Sequence, residues 1–360
     1  MPETPTTPGL LRLGRLRLDP ALRDLRADSV VTATVVAPDS SSEPQDAWST
    51  AWADATRQAR GLGADAATAQ ALAAEAGDPL AAGVRDADNT RVVVAAQGTA
   101  VLARWLPAGA AAGSVRVGPQ PRLRDAAVAA ARRPAHVVLL VRRDGAAVIA
   151  HSEGGVRPAR VYPIGLRPGL QPDADPTRPP AQYHGERHRT DREPRDGGER
   201  NDAYLAARVA EAAAEVGAHI VLGAGEQPVL DAVAAHLAPS LGPVTPVGGS
   251  PAALDSDAGL SARIGAALDG LTAEAADAVA GRVAASAQRP QPLAVRGIAD
   301  VTGQLDQRQV AVLLVAAGDD VEPLVWSALR QDAIVAALPE QSGPLAGERA
   351  AALLRRGSAA

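Results

Sequence analysis

Residues 182–225 read QYHGERHRTDREPRDGGERNDAYLAARVAEAAAEVGAHIVLGAG, and this stretch decides how the chain is interpreted. The wider segment Gly169 to Arg200 consists mainly of Pro, Gly, Asp, Glu, Arg and His, with almost nothing to bury, which predicts a solvent-exposed or disordered loop. Asn201 is a good N-cap, and apolar residues then recur at helical spacing as far as Gly217. The apolar strand Ala218–Leu222 follows. The stretch therefore predicts an outward-reaching loop mounted on a helix and a buried strand.

The composition excludes several kinds of chemistry. Hydrophobic residues make up 46% of the 360 residues, enough for two or three domain cores, and the net charge of −5 leaves RNA contact to local arginine clusters. The chain has no cysteine, so it has neither disulfides nor thiolate metal sites, and it has no lysine for Schiff-base or Walker chemistry. Because it has no run of about 18 apolar residues and no basic-then-apolar start, we expect a cytoplasmic protein without a membrane partner.

The pattern over residues 1–133 predicts an N-terminal α+β domain. It opens with a basic amphipathic piece, Leu10–Arg26, which predicts a packing helix. The segment Pro44–Ala76 predicts a second helical region, split near Gly61 and Gly63. Strands are predicted from β-branched and alternating residues at Ser29–Ala37, Arg91–Ala96, Thr99–Leu106 and Ser114–Gly118.

Residues 134–257 predict a ribonuclease-H-like middle domain that carries the long loop 169–200. Asp144-Gly145 lies between two apolar runs and predicts a hairpin. The predicted elements are the strands His136–Val141, Ala146–His151 and Val156–Ile164, the helix from Asn201, the strand Ala218–Leu222 and the helix Pro228–Leu237. This β-β-β-loop-α-β-α order resembles a ribonuclease-H-like layer.

Residues 258–360 predict a C-terminal α/β sandwich domain. Its first helix, Leu260–Ala287, is long enough to bridge two domains. The other predicted elements are the helices Leu293–Leu305, Val321–Arg330 and Leu345–Arg356 and the strands Gln309–Ala316 and Ala333–Ala337.

Three familiar site patterns are incomplete, and we expect no metal and no cofactor. His184 and His188 are four residues apart, but the glycine and proline around them disfavour a helix that would aim both at a metal ion. Gly223-Ala224-Gly225 lacks the third glycine of a dinucleotide turn. No G-x-S-x-G nucleophile elbow is present. His136, His219 and His236 stand among apolar residues and are interpreted as core or surface packing residues.

The remaining candidate is an RNA-binding loop. Arginine guanidinium groups bind phosphates, and aromatic rings stack on bases. The candidate residues are Arg178, Tyr183, His184, Arg187, His188, Arg189, Arg192, Arg195 and Arg200. Carboxylates alternate with these arginines, so an ordinary solvated surface of mixed charge stays an equally open interpretation.

The chain resembles the bacterial branch of the archaeal and eukaryotic class-1 peptide-chain release factors, which includes the Balon-like hibernation factors and their mycobacterial relatives. The resemblance rests on the strand pair 136–151, on the helix 201–217 that leads into AHIVLGAGEQPVLDAVAAHL, and on the closing strand Gln309–Ala316. It implies a ribonuclease-H-like middle domain whose loop enters the ribosomal peptidyl-transferase centre. It also implies a last domain resembling kink-turn-binding ribosomal proteins.

Two departures from that family bear on activity. Catalytic release factors carry Gly-Gly-Gln at the loop tip, whereas this chain has Gly197-Gly198-Glu199, and a carboxylate there would repel the developing oxyanion. The lysine-containing stop-codon motif is absent as well. We therefore expect a ribosome-binding factor that acts in hibernation or stress protection without releasing peptide. Its expected partners are the ribosome and ribosomal RNA, with a translational GTPase as a further candidate and no DNA. The first alternative is a peptidyl-tRNA hydrolase in which Gln182 or His184 positions the water. The second is a general RNA-binding module with no ribosomal role.

Overall fold

The computed structural model describes residues 12–36, 44–76, 90–106, 113–142, 145–153, 159–164, 194–248, 257–286, 293–338, 345 and 347–355. Within these ranges the chain forms three β-sheets with helices packed on them, a mixed α/β architecture with one sheet in each predicted region. The division into three domains at 133 and 257 stays a prediction.

The N-terminal sheet has four antiparallel strands in the order β3-β2-β1-β4. These strands are β1 (Val30–Val36), β2 (Thr90–Ala96), β3 (Thr99–Leu106) and β4 (Ser114–Gly118). The helices α2 (Pro44–Gly61) and α3 (Ala66–Ala74) cover one face, and Trp48 and Trp52 are buried against it. The predicted strands and the split near Gly61 are confirmed.

The predicted N-terminal packing helix is wrong for most of its length. Within the described part of Leu10–Arg26, only α1 (Pro20–Arg23) is an α-helix. Leu16 and Leu18 are both buried, and this spacing of two fits an extended chain rather than a helix. The helix α4 (Arg124–Ala131) was missed because six of its eight residues are alanine or valine, and this pattern shows no polar face.

The middle sheet has five strands in the order β7-β6-β5-β8-β9. These are β5 (His136–Arg142), β6 (Gly145–His151), β7 (Arg160–Ile164), β8 (Ile220–Ala224) and β9 (Val244–Pro246). The first three pair antiparallel, and β8 and β9 continue the sheet parallel to β5, which is the predicted ribonuclease-H-like arrangement. The short strand β9 was not predicted.

Two helices belong to this sheet, α5 (Pro194–Val216) and α6 (Gln227–His236). The prediction that the loop ends at Arg200 and that Asn201 caps the helix is wrong, since α5 begins at Pro194. Proline is favoured in the first turn of a helix, where its missing N–H is not needed. Gly217, with φ of 67°, ends α5 as predicted.

The C-terminal sheet has the strand order β10-β13-β11-β12. Its strands are β10 (Ala294–Arg296), β11 (Val310–Val315), β12 (Ile334–Ala337) and β13 (Ala350–Leu354), and its helices are α8 (Ile298–Asp306) and α9 (Glu322–Arg330). The prediction of a last helix over Leu345–Arg356 is wrong. Its alanine-rich run favours a helix locally, but β13 lies between β10 and β11, where its burial outweighs that propensity. The prediction of one helix over Leu293–Leu305 is also wrong, because Gly297, with φ of 81°, separates β10 from α8.

The N-terminal and C-terminal sheets share one apolar core. Leu102 and Leu106 of β3 belong to the same buried cluster as Val325 and Leu329 of α9. At the edge of this cluster the Glu322 carboxylate accepts hydrogen bonds from the backbone N–H groups of Leu123 and Arg124, at 3.0 and 3.2 Å, where α4 begins. Burial raises the pKa of Glu322, and those two N–H groups oppose the rise.

The helix α7 (Asp257–Ser286) connects the middle sheet to the C-terminal sheet. Leu260 and Leu268 pack on the middle sheet, whereas Val279 and Val283 pack on the C-terminal sheet. The predicted bridging role of this helix is confirmed.

Candidate nucleic-acid interface

Most of the predicted site residues lie outside the described residues. These are Arg178, Gln182, Tyr183, His184, Arg187, His188, Arg189 and Arg192. Arg195 and Arg200 belong to the first two turns of α5. The assignment of these residues to RNA binding therefore stays a prediction from the sequence.

The structure does describe the two elements that flank the predicted loop. Strand β7 ends at Ile164, and α5 begins at Pro194, so both ends of segment 165–193 start from the middle sheet and its helix. The first buried side chain described on α5 is Leu205, which is 11 residues after Pro194. At 1.5 Å per residue, the helix places its first residue about 16 Å from Leu205 along its axis.

A cluster of aromatic and charged side chains joins α5 to β7. The Arg208 guanidinium carbon lies 5.6 Å from the ring centre of Tyr162 on β7 and 5.9 Å from that of Tyr204 on α5. These distances are within the range of cation–π attraction. Arg208 also forms an ion pair with Glu211, whose hydrogen bond raises the pKa of the guanidinium. One arginine thus holds rings from both flanking elements.

Glu215, one turn after Glu211 on α5, also contacts strand β7. Its carboxylate pairs with Arg160 at 2.7 Å and accepts a hydrogen bond from the Tyr162 hydroxyl, a bond that raises the pKa of Tyr162. The residues Tyr204, Arg208, Glu211 and Glu215 follow the spacing i, i+4, i+7, i+11 and form one stripe on the helix. This spacing was visible in the sequence, but its partner strand could not be inferred from it.

The glycine pair Gly197-Gly198 and Glu199 lie inside α5. In a helix these three residues advance about 1.5 Å each along the axis, and each backbone is fixed by helical hydrogen bonding. Glycine in a helix interior costs about 1 kcal/mol relative to alanine, so α5 is weaker here than its length suggests. Gly197 and Gly198 therefore do not form the tip of a reaching loop in this structure.

The three histidines predicted to be core or surface residues occupy both kinds of position. His136 is buried, and its ring stacks on that of His151 at 4.5 Å with 6° between the planes. Desolvation lowers the pKa of His136 to about 4 and that of His151 to about 3. His219 and His236 are exposed and pack into no core. His136 is thus confirmed as a core residue, and the other two lie on the surface.

No group of three or more metal-ligating side chains occurs in the described ranges. In those same ranges no helix combines the length and the hydropathy needed to cross a bilayer.

The middle part of the chain matches a known protein family. Residues 135–289, which contain the middle sheet, α5, α6 and α7, match the profile described as bacterial archaeo-eukaryotic release factor family 2. This part of the chain is therefore similar to that family, which agrees with the resemblance stated from the sequence. A search of curated protein sequences gives no match.

Several solved structures overlap with the chain at low similarity. Archaeoglobus fulgidus Pelota is 16% identical with a TM-score of 0.33, and the match covers 75% of this chain and 80% of that one. An archaeal Pelota described as ribosome-bound with ABCE1 is 16% identical with a TM-score of 0.39, covering 92% and 91%. Saccharomyces cerevisiae Dom34, described as interacting with Hbs1, is 9% identical with a TM-score of 0.35, covering 76% and 80%. Superpositions at this level support no inference about mechanism.

Proposed function

We propose that the chain is a ribosome-binding translation factor of release-factor-like architecture that acts in hibernation or stress protection without releasing peptide. The observation that carries this proposal is the family match over residues 135–289, the part of the chain from which the arginine-rich segment extends. In this proposal the three sheets correspond to domains 1–133, 134–257 and 258–360, and the middle one presents its loop to ribosomal RNA.

The absence of peptide release is proposed from residue identity and from backbone geometry. Water-mediated cleavage of the peptidyl ester needs a group that stabilises the developing oxyanion, and a carboxylate at Glu199 does the opposite. In addition, Gly197 and Gly198 lie in a helix, where they lack the extended reach of a loop tip. Both observations weigh against a release activity centred on this tripeptide.

The arginine segment is proposed to bind RNA phosphate. The cluster of Arg208 with Tyr162 and Tyr204 supports this role, because it joins β7, which ends where segment 165–193 begins, to α5, which begins where the segment ends. Anchored ends reduce the conformational entropy that the segment loses on binding. We extend the proposal to a second partner, a translational GTPase, on the resemblance to release factors.

Two assays on the same ribosomes test the proposal. The purified chain should pellet with ribosomes, and binding should weaken as salt increases, because counterions are released from RNA phosphates. In a single-turnover assay it should release no labelled peptide from stalled ribosomes. Peptide release by the parent chain that disappears in Gln182→Ala or His184→Ala would instead establish the hydrolase alternative. Failure to pellet at any salt concentration would overturn the ribosomal assignment.

A further inference from the structure

The middle module, defined as the middle sheet with α5 and α6, is joined to the rest of the protein by two stretches of backbone. One is the short connection from α4 to β5, residues 132–135, and the other is α7. On α7 the packing changes from the middle sheet, which Leu268 and the partly buried Leu271 contact, to the C-terminal core at Ala275. Any change in the orientation of the middle module has to occur within these two stretches.

A single carboxylate connects the two stretches. Asp269 accepts hydrogen bonds from Arg132 Nε at 3.1 Å and from Arg133 Nη1 at 2.8 Å. The Arg133 side chain is only 15% exposed, and it lies against Gly265, one turn earlier on α7, where an added Cβ would be in ordinary contact with Arg133 Nη2 at 3.4 Å. Burial alone would raise the pKa of Asp269, but the two arginine hydrogen bonds outweigh it and hold the pKa below its usual value.

The helix α7 has a weak point beside that carboxylate. Gly270 follows Asp269 directly, and a glycine in a helix interior lowers local helix stability. The Thr272 hydroxyl donates to the Leu268 carbonyl at 2.8 Å, a back-bonding pattern that bends helices. These two features lie next to the change of packing partner between Leu271 and Ala275, so α7 is weakened at this point.

The same end of the middle sheet has a second, more exposed contact. Glu153, after β6, pairs with Arg15 at 3.5 Å and with Arg17 at 2.9 Å. The Arg17 side chain is 69% exposed, so this contact contributes little, as exposed ion pairs usually do. The Asp269 contact is the better shielded of the two, and it lies where the backbone crosses.

We propose that Asp269 is a positioning residue that fixes the orientation of the middle module by joining both connecting stretches through Arg132 and Arg133. Without it, the bend in α7 and the connection 132–135 move independently, and the middle module adopts more than one orientation. This inference goes beyond the proposed function and holds whether or not the chain binds ribosomes.

Single-molecule energy transfer between the N-terminal sheet region and the middle module tests the proposal. The chain has no cysteine, so one dye pair can be placed at Leu62→Cys, directly after α2, and Val161→Cys on β7. Leu62 and Val161 are 50% and 54% exposed, which makes labelling harmless to the core. The parent should give one narrow distribution of transfer efficiency.

Three variants test whether Asp269 fixes the orientation of the middle module. Asp269→Asn should add a second population that the parent lacks, and Arg132→Gln with Arg133→Gln should add the same population by removing the ion pairs from the other side. Asp277→Asn, an exposed aspartate on the same helix, should match the parent.

A second population in both the Asp269 variant and the double arginine variant supports the proposal, and circular dichroism checks that both are folded. The double variant decides alone if Asp269→Asn does not fold. The proposal is overturned if the double variant keeps the single narrow distribution, or if Asp277→Asn broadens the distribution equally.

Discussion

The stacked histidines of the middle sheet predict that this sheet is acid-sensitive. In the folded chain the pKa of His136 is about 4 and that of His151 about 3, against an ordinary value of 6.5. In the unfolded chain both rings take up protons as the pH falls through 6.5, while in the folded chain they stay neutral until the pH approaches 4. Stability that is complete above pH 6.5 is therefore lost as the pH falls toward 4.

The size of the effect follows from that window. At pH 5 the unfolded chain is 1.5 pH units below the ordinary pKa, and each unit corresponds to about 1.4 kcal/mol, so each histidine costs roughly 2 kcal/mol. Both rings are still neutral in the folded chain at pH 5, so their mutual repulsion does not enter, and the pair costs about 4 kcal/mol.

Urea unfolding from pH 7.5 to pH 5 measures this loss. The four tryptophans, Trp48, Trp52, Trp105 and Trp326, all lie outside the middle sheet, so tryptophan fluorescence follows the other two sheets, and far-UV circular dichroism follows all three. The loss should appear in circular dichroism and should be nearly absent from tryptophan fluorescence.

The matched variant replaces His136 and His151 by phenylalanine, which keeps two stacked rings without a titrating group. It should remove most of the pH dependence, whereas His219→Gln, at an exposed position, should leave it as in the parent. The Glu322 carboxyl has a raised pKa and shifts stability in the opposite direction, so the comparison of variants isolates the histidines better than the parent curve does. An equal loss in the parent and in the phenylalanine variant would refute the reasoning.

Four further substitutions give three more predictions. Gly14→Ala should lower the free energy of unfolding by more than about 1 kcal/mol, because the added Cβ would lie 2.3 Å from the Ala130 carbonyl oxygen. Gly270→Ala has open space around it and should be neutral or stabilising, and thermal unfolding compares the two variants. Glu322→Ala should cost roughly 1–3 kcal/mol in urea unfolding followed by tryptophan fluorescence, because it leaves the N–H groups of Leu123 and Arg124 unpaired at the joint between two sheets; a loss no larger than that of Asp277→Asn would argue against this role. Glu199→Gln should create no peptide release from stalled ribosomes, because Gly197-Gly198 lies in α5, and robust release would show that the pair forms a catalytic tip.

Local sequence patterns correctly predicted those helices and strands whose conformation depends mainly on their own residues. The hairpin β2–β3, the buried strands β5 and β11 and the long helix α7 all have a periodicity that allows one interpretation. The predictions failed where packing against neighbouring elements determines the secondary structure. β13 is alanine-rich and becomes a strand only because β10 and β11 lie on either side of it, and α4 has no polar face because two sheets enclose it. The cluster around Arg208 includes Tyr162 on β7, which lies 42 residues before Tyr204. No local sequence pattern connects two residues so far apart.

Co-sedimentation with ribosomes across a salt series, comparing the parent with Arg187→Ala, Arg189→Ala and Arg192→Ala combined, tests the central claim most directly. The control replaces three exposed arginines of the N-terminal region, Arg57, Arg60 and Arg104, by alanine and changes the net charge equally. If the segment binds RNA phosphates, its variant should pellet more weakly than the control, and the slope of log affinity against log salt should be shallower by about 2 to 3. Both variants should keep the melting temperature of the parent to within a few degrees. A segment variant that pellets as well as the parent at every salt concentration would contradict the claim that these arginines contact ribosomal RNA.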